Sequence, residues 1–340
     1  MEMSEVAFAN RAQSKPARIS YWIIAGTLVL IGALRLTTPL LVILFSYLAL
    51  TRLHFLKHRG KWVAVALFLV LVSAIVYGLG YIINQAVRTL PDVADQAIPS
   101  ILQWAKQHQI EPPFTDYDSL KDWATDTVRG QVHYLASIAK IARGATRQFA
   151  FLIIGVVVGI SIFLNPRLEL GRNAGQRPSN FYSVCCDLVA LRFATLYRSF
   201  ATVMGAQIII SAINTVFTTI FVLAVHLPHA TVVIGLTFLF GLIPVVGNLI
   251  SNTIIVGIGF TVSPKIALLA LAFLVIVHKL EYFLNGKIVG HRIRNPLWLT
   301  LLALVLGEKL MGLPGMVLAP VILHYIKVEA SAVKVEDTEP

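Results

Sequence analysis

SFATVMGAQIIISAINTVFTTIFVLAVHLPHATVVIGLTFLFGLIPVVGNLISNTIIVGIGFTVSP, residues 199–264, runs sixty-six positions without Asp, Glu, Lys or Arg. One helix crosses a hydrocarbon core with about 20 residues, so this stretch is too long for a single span and suits roughly three helical pieces. Within it, Ile243-Pro244-Val245-Val246-Gly247-Asn248 interrupts the apolar pattern. Proline lacks a backbone donor, and hydrocarbon cannot satisfy the polar groups that a broken helix frees. A break at membrane depth is stable only when it is buried in protein or lines a water-filled path.

The rest of the 340-residue chain has the same character: 57% of residues are hydrophobic and 13% charged, with a mean hydropathy of +0.77. Soluble domains carry about 25% charged residues, so a soluble fold is excluded. The formal net charge of +11 sits in short loops between apolar segments, which is the positive-inside pattern and not a nucleic-acid footprint. No nucleic-acid partner is expected. Cys185 and Cys186 are adjacent, and neighbouring cysteines resist disulfide geometry, so both are read as free thiols.

Working outward, the pattern predicts an all-α, polytopic helical membrane protein with about four full spans, three short helical hairpins and a small helical extramembrane domain. The full spans are expected at 62–83, 149–164, 203–225 and 265–284. The hairpins fall at 21–51, 230–260 and 297–326, with arms mostly too short at about 1.5 Å per residue to cover a 30 Å core, and their tips are expected to meet. In domain terms, 1–20 is a cytoplasmic tail, 21–86 the first hairpin and first full span, and 87–147 a helical extracytoplasmic domain. Residues 148–165 form the second full span, 166–202 a cytoplasmic amphipathic segment, 203–327 the C-terminal membrane core and 328–340 a disordered tail. On the segments assigned inside, seventeen Lys and Arg stand against eight Asp and Glu, whereas the outer domain holds seven of each. That asymmetry places both termini in the cytoplasm. Within the outer domain, Pro112-Pro113 reads as a break and Ser119 with Asp122 as a helix cap.

Five motifs in order connect the C-terminal half to a known family. They are Gly205-Ala206-Gln207, the break Ile243-Pro244-Val245-Val246-Gly247, Lys279-Leu280-Glu281-Tyr282-Phe283-Leu284-Asn285, Gly290-His291-Arg292 before Pro296, and Gly312-Leu313-Pro314-Gly315-Met316 with Ala319-Pro320. Together they resemble the AI-2E transporter family, closely over about 204–327 and by layout elsewhere. Asn248 and Pro314 depart from the residues usual there. The resemblance implies a transporter of the bacterial inner membrane that assembles as a homo-oligomer, with the pentamer as the associated form. Members are linked to export of a signal molecule and to sodium/proton exchange, so the resemblance leaves the small solute or ion open.

The candidate transport pathway comprises Pro244, Gly247, Asn248, Asn252, His278, Glu281, Asn285 and Gln207. Freed carbonyls at the break, together with Asn248 and Asn252, match the use of broken helices in transporters. The bland alternative is a tight turn between packed helices. His278, Glu281 and Asn285 share one helix face, and a carboxylate at that depth is expensive unless paired or hydrated. The alternative places Glu281 at the headgroups, paired with Lys279, Lys287 or Arg292. Gln207, Ser211 and Asn214 form a polar stripe of the kind that more often joins helices than contacts substrate. His278 with Glu281 is too few ligands for a metal site. No phosphate-binding glycine loop is present, and neither a cofactor nor an enzymatic reaction is expected. A membrane enzyme or scaffold for lipid-linked substrates remains the rival class, and it would need acids or bases clustered at one interface.

Overall fold

The computed structural model describes residues 15–54, 60–109, 133–165, 180–243, 246–288 and 296–332, the side chains of 133–148, 282–288 and 297 excepted. Pro112-Pro113, the Ser119/Asp122 cap, Pro244 and Gly290-His291-Arg292 lie outside the described residues. Among the described residues ten helices and no strand occur. They are α1 (Lys15–Ala33), α2 (Thr37–Leu53), α3 (Lys61–Gln107), α4 (His133–Leu164), α5 (Phe181–Ala224), α6 (Ala230–Gly241), α7 (Val246–Val262), α8 (Pro264–Ile288), α9 (Leu297–Met311) and α10 (Leu313–Ser331). Four of them, α1, α3, α5 and α10, are long and apolar enough to cross a membrane.

The hairpin pairs are α1/α2, α6/α7 and α9/α10. The outer arms α1 and α10 are 19 residues each, about 29 Å at 1.5 Å per residue, so they are longer than their predicted lengths. α1 begins at Lys15, inside the expected N-terminal tail, because Ala17 and Ser20 are buried on the same face as Ile24. α3 passes residue 86 unbroken and carries Pro91 and Pro99 within it. α5 joins the expected amphipathic segment to the expected span at 203–225. α10 continues to Ser331, so the first four residues of the expected disordered tail are helical, and Glu329 among them is buried.

The chain divides into two compact units, Met1–Phe68 with Ala150–Gly205 and Arg292–Pro340, and Leu69–Phe149 with Ala206–His291. In the first unit, Ile24, Leu44, Leu48, Phe200, Met204 and Val321 pack into one core, with Phe45 edge-on to Phe200 at 4.9 Å between centroids. Lipid tails are as apolar as leucine, so close packing and not water exclusion holds such helices together. Glycines supply it. A Cβ on Gly155 would lie 2.6 Å from the Val42 Cβ, and one on Gly159 2.7 Å from the Ser46 Cβ, which presses α4 onto α2 through a small-xxx-small face. A Cβ on Gly307 would stand 2.5 Å from the Gly315 carbonyl oxygen, so α9 and α10 touch backbone to backbone. Their turn is Gly312, at φ 67° and ψ −156°, a region that only glycine enters at little cost. The outer hairpin tips meet inside this unit, where Gly32 faces Met311.

Gly159→Leu is expected to destabilise the protein by about 1–3 kcal/mol, the usual range for overpacking. Gly26→Leu is the control, because nothing lies within 4 Å of a Cβ there. Thermal unfolding in detergent checks this: the midpoint falls for the first variant and stays near wild type for the second.

In the second unit, Phe221, Val222, Val233, Ile255, Ile258 and Ala270 form the core, and Phe221 stacks on Phe273 at 4.3 Å. α7 turns directly into α8 at Ser263, whose Oγ accepts the Ile266 N–H at 3.3 Å. Pro264 occupies the first helical position, where its missing donor is harmless. The face of α3 that carries Trp62, Val70 and Tyr77 is 68–79% exposed. A bare apolar stripe of this size suits lipid and not water.

Candidate functional site

The second unit gathers polar side chains around one carboxylate. Glu281 projects from α8 with 13% of its side chain exposed. Asn248, in the first turn of α7, donates from Nδ2 to both carboxylate oxygens, at 2.8 Å to Oε1 and 2.7 Å to Oε2. Asn214 on α5 donates to Oε2 at 3.2 Å and is itself buried. Two helices, α5 and α7, therefore converge on Glu281 of α8 through amide donors. Hydrogen bonds to charged groups are worth about 1.5–3 kcal/mol each, and a carboxylate at membrane depth is expensive without such partners.

His278 stands one turn before Glu281, with Nδ1 4.0 Å from Oε2. Its side chain is 72% exposed, so its help is conditional on protonation and screened by surroundings. Among the described side chains no Lys or Arg pairs with Glu281. Lys279 is therefore not its partner. The side chains of Asn285 and Lys287 and all of Arg292 lie outside the described residues. The expectation that Asn285 joins the cluster stays where the sequence left it.

The hairpin that presents Asn248 is held from beside by the α5 stripe. Gln207 donates from Nε2 to the Gly241 carbonyl at 2.6 Å, and the Ser211 hydroxyl donates to the Phe238 carbonyl at 2.7 Å. These two satisfy carbonyls at the C-terminal end of α6, which a helix leaves without partners. Gln207, expected on the pathway, bonds the end of α6 in the structure. Gly247 N–H donates to the Ile243 carbonyl at 3.2 Å, and a Cβ at Gly247 would overlap the Phe240 carbonyl. Glycine is there for close backbone approach. Asn252, four residues beyond Asn248 on α7, is half-buried and takes no part in the Glu281 cluster. Asn214, for which the sequence favoured joining helices over contacting substrate, is brought to the Glu281 carboxylate. Its spacing from Gln207 and Ser211 was the available signal.

The two donors are unequal, which gives a graded expectation. Asn248→Ala removes both of the short contacts and Asn214→Ala the long one, so substrate affinity is expected to fall about 10- to 100-fold in the first and less than about 10-fold in the second. Flux titrations of the two variants in proteoliposomes check the order.

Sequence missed a second charged cluster, which lies in the first unit. Arg192 on α5 forms a buried ion pair with Glu329 on α10. The Tyr21 hydroxyl on α1 donates to Glu329 Oε2 at 3.2 Å, and the Arg192 guanidinium lies 4.0 Å over the Tyr21 ring. Val321, Tyr325 and Glu329 are all buried. Their spacing of four was the signal that Glu329 faces inward.

Among the described residues no three His, Cys, Asp or Glu side chains gather as a metal site. An apolar helical body with a glycine-sealed hairpin and one amide-held carboxylate defines a multi-pass membrane protein of the transporter class. The family model described as AI-2E family transporter matches residues 19–333, and the chain belongs to that family. It is 25% identical over 187 residues to a protein of Bacillus subtilis (strain 168) named "Putative transport protein YdbI", covering 54% of this chain and 51% of the relative. It thus spans about half the length of that relative. A protein of Halobacillus andaensis named "Sodium-lithium/proton antiporter" is 25% identical over 323 residues, covering 89% of this chain and 90% of the relative.

Proposed function

We propose that this transporter is a secondary carrier of the bacterial inner membrane that moves a small solute or ion in exchange for, or together with, protons or a monovalent cation. Glu281 takes up the proton or the cation in turn. The observation that carries this is the amide-held carboxylate: it is fixed by neutral donors from Asn248 and Asn214 and pairs with no Lys or Arg among the described side chains. Neutral donors leave the carboxylate's charge uncancelled, so it can attract a proton or a cation. Rotating an Asn side-chain amide by half a turn replaces its NH₂ with its oxygen. The same two side chains can then serve first as donors to the carboxylate and next as ligands beside a cation shared with it. Hard oxygen donors of this kind suit alkali cations. The similarity to a protein named as a sodium-lithium/proton antiporter supports the same reading.

The distribution of Lys and Arg supports both termini on the cytoplasmic side, and the family resemblance supports a homo-oligomer, pentameric in form. No enzymatic step is proposed. The test is reconstitution into liposomes with a trapped pH dye, with Na⁺, Li⁺ or K⁺ added outside in turn. Cation-dependent alkalinisation or acidification of the lumen, absent from empty liposomes, is the expected result. Solute flux with no cation-linked pH change would make the protein an uncoupled facilitator and remove Glu281 from the proposed role.

A further inference from the structure

A layer of buried hydroxyls crosses the core of the second unit. Thr237 on α6 is 6% exposed, and its Oγ1 has no hydrogen-bond partner among the described residues. Helical threonines commonly turn that hydroxyl onto the carbonyl four residues back, as Thr215, Thr219 and Thr253 do. Leaving it unpaired in an apolar core is costly unless a guest completes it. The hairpin register shows what surrounds it. Gly247 touches Phe240 backbone to backbone and Val233 shares a core with Ile255, so Thr237, lying between Val233 and Phe240, falls opposite Ser251 on antiparallel α7. Gly241 lies on Ser211 and Val233 shares that same core with Val222, which sets Thr237 level with Asn214 and Thr218 on α5. Ser251, Asn214 and Thr218 are all buried. The Ser251 hydroxyl donates to the Asn248 carbonyl at 3.2 Å, and Asn214 and Asn248 both hold Glu281. The hydroxyl layer thus adjoins the carboxylate.

Charge and size choose the guest. Thr237, Ser251 and Asn214 offer lone pairs from neutral hydroxyl and amide oxygens, and no Lys or Arg pairs with Glu281 among the described side chains. An anion is therefore repelled and a cation attracted. Phe221, Val222, Val233, Ile255 and Ile258 form the apolar core next to the layer, which disfavours a hydrated or organic cation. Hard oxygens on helices that touch backbone to backbone suit a small bare ion. We propose that Thr237 and Ser251, with the Asn214 amide oxygen, form a coordination shell for dehydrated Li⁺ or Na⁺ beside Glu281, and that Thr237 sets the preference for these ions over K⁺. This rests on the reading of Glu281 as the cation carrier and names the groups that select the cation. Glu281 supplies the charge, and Thr237 supplies the discrimination.

The experiment is thermal unfolding of the full chain in detergent at constant ionic strength, with choline chloride replaced stepwise by LiCl, NaCl or KCl. An ion bound only by the folded state stabilises it, so Li⁺ and Na⁺ are expected to raise the wild-type midpoint and K⁺ to raise it much less. Thr237→Val keeps the shape and removes the hydroxyl, and it is expected to raise the half-effective Li⁺ and Na⁺ concentrations about 10-fold. Ser251→Ala should move them in the same direction and gives the same reading if Thr237→Val is too unstable to purify. Thr237→Ser should respond nearly as wild type does. Thr253→Val, which removes a hydroxyl from the exposed face of α7, is the control. A threonine that only packs predicts a constant midpoint shift with an unchanged ion response. That result for Thr237→Val and Ser251→Ala, or equal wild-type responses to Li⁺, Na⁺ and K⁺, overturns the proposal. An ion response lost in Glu281→Gln but intact in Thr237→Val leaves Glu281 as the carrier and removes only this shell. No wild-type response to any of the three ions overturns both.

Discussion

Glu281→Gln is expected to abolish the proposed coupled transport while the protein still inserts and unfolds with a near-normal midpoint. Glutamine keeps the shape and one acceptor oxygen for Asn248 but removes the charge. Losing one charge-assisted contact of about 3 kcal/mol corresponds to roughly a 100-fold loss of cation affinity at 25 °C. The distinguishing feature is the pH profile. Wild-type flux should vary with pH as proton and cation compete for one carboxylate, and the variant's residual flux should not. If Glu281→Gln transported at wild-type rates with an unchanged pH profile, the carboxylate would be structural only.

Gly247→Ala produces the largest structural loss expected of any single methyl group here. The added Cβ would overlap the Phe240 carbonyl, and a backbone atom cannot step aside as a side-chain tip can. Relief requires α6 and α7 to separate, which pulls Asn248 from Glu281 and the Gly241 carbonyl from Gln207. We expect a loss of about 3 kcal/mol or more and a fall in reconstituted yield, seen by detergent thermal unfolding and size-exclusion chromatography. A Gly247→Leu variant that folds and merely fails to transport, the outcome expected of a residue that only lines a pathway, is therefore not anticipated. Gly235→Ala is the comparison, since its nearest obstacle is the flexible end of Ile82.

What the sequence made legible follows from what periodicity and solvation can encode. The uncharged run at 199–264, the hairpin break and the cost of Glu281 in hydrocarbon are local properties, and each located its element. Helix ends were harder. The segment at 166–202 read as separate from the span at 203–225, yet α5 runs through both, and Arg192 within it pairs with Glu329, 137 residues away. Glu329 itself was hidden by the charged residues that follow it. The glycine face of Gly155 and Gly159 looked like ordinary apolar sequence until α2 was seen against it. Asn214 and Gln207 share a stripe, but only tertiary packing assigns one to the carboxylate and the other to a helix end. Interhelical partners are set by contacts between distant segments, on which residue spacing is silent.

The central claim is that Glu281 holds a proton and a cation by turns. Purified protein in weakly buffered detergent, with a pH dye, should release protons when NaCl or LiCl is added, across a range of starting pH, and should release none on addition of choline chloride. Glu281→Gln should release none with any salt. Equal proton release from wild type and Glu281→Gln, or none from wild type at any pH tested, would contradict the account.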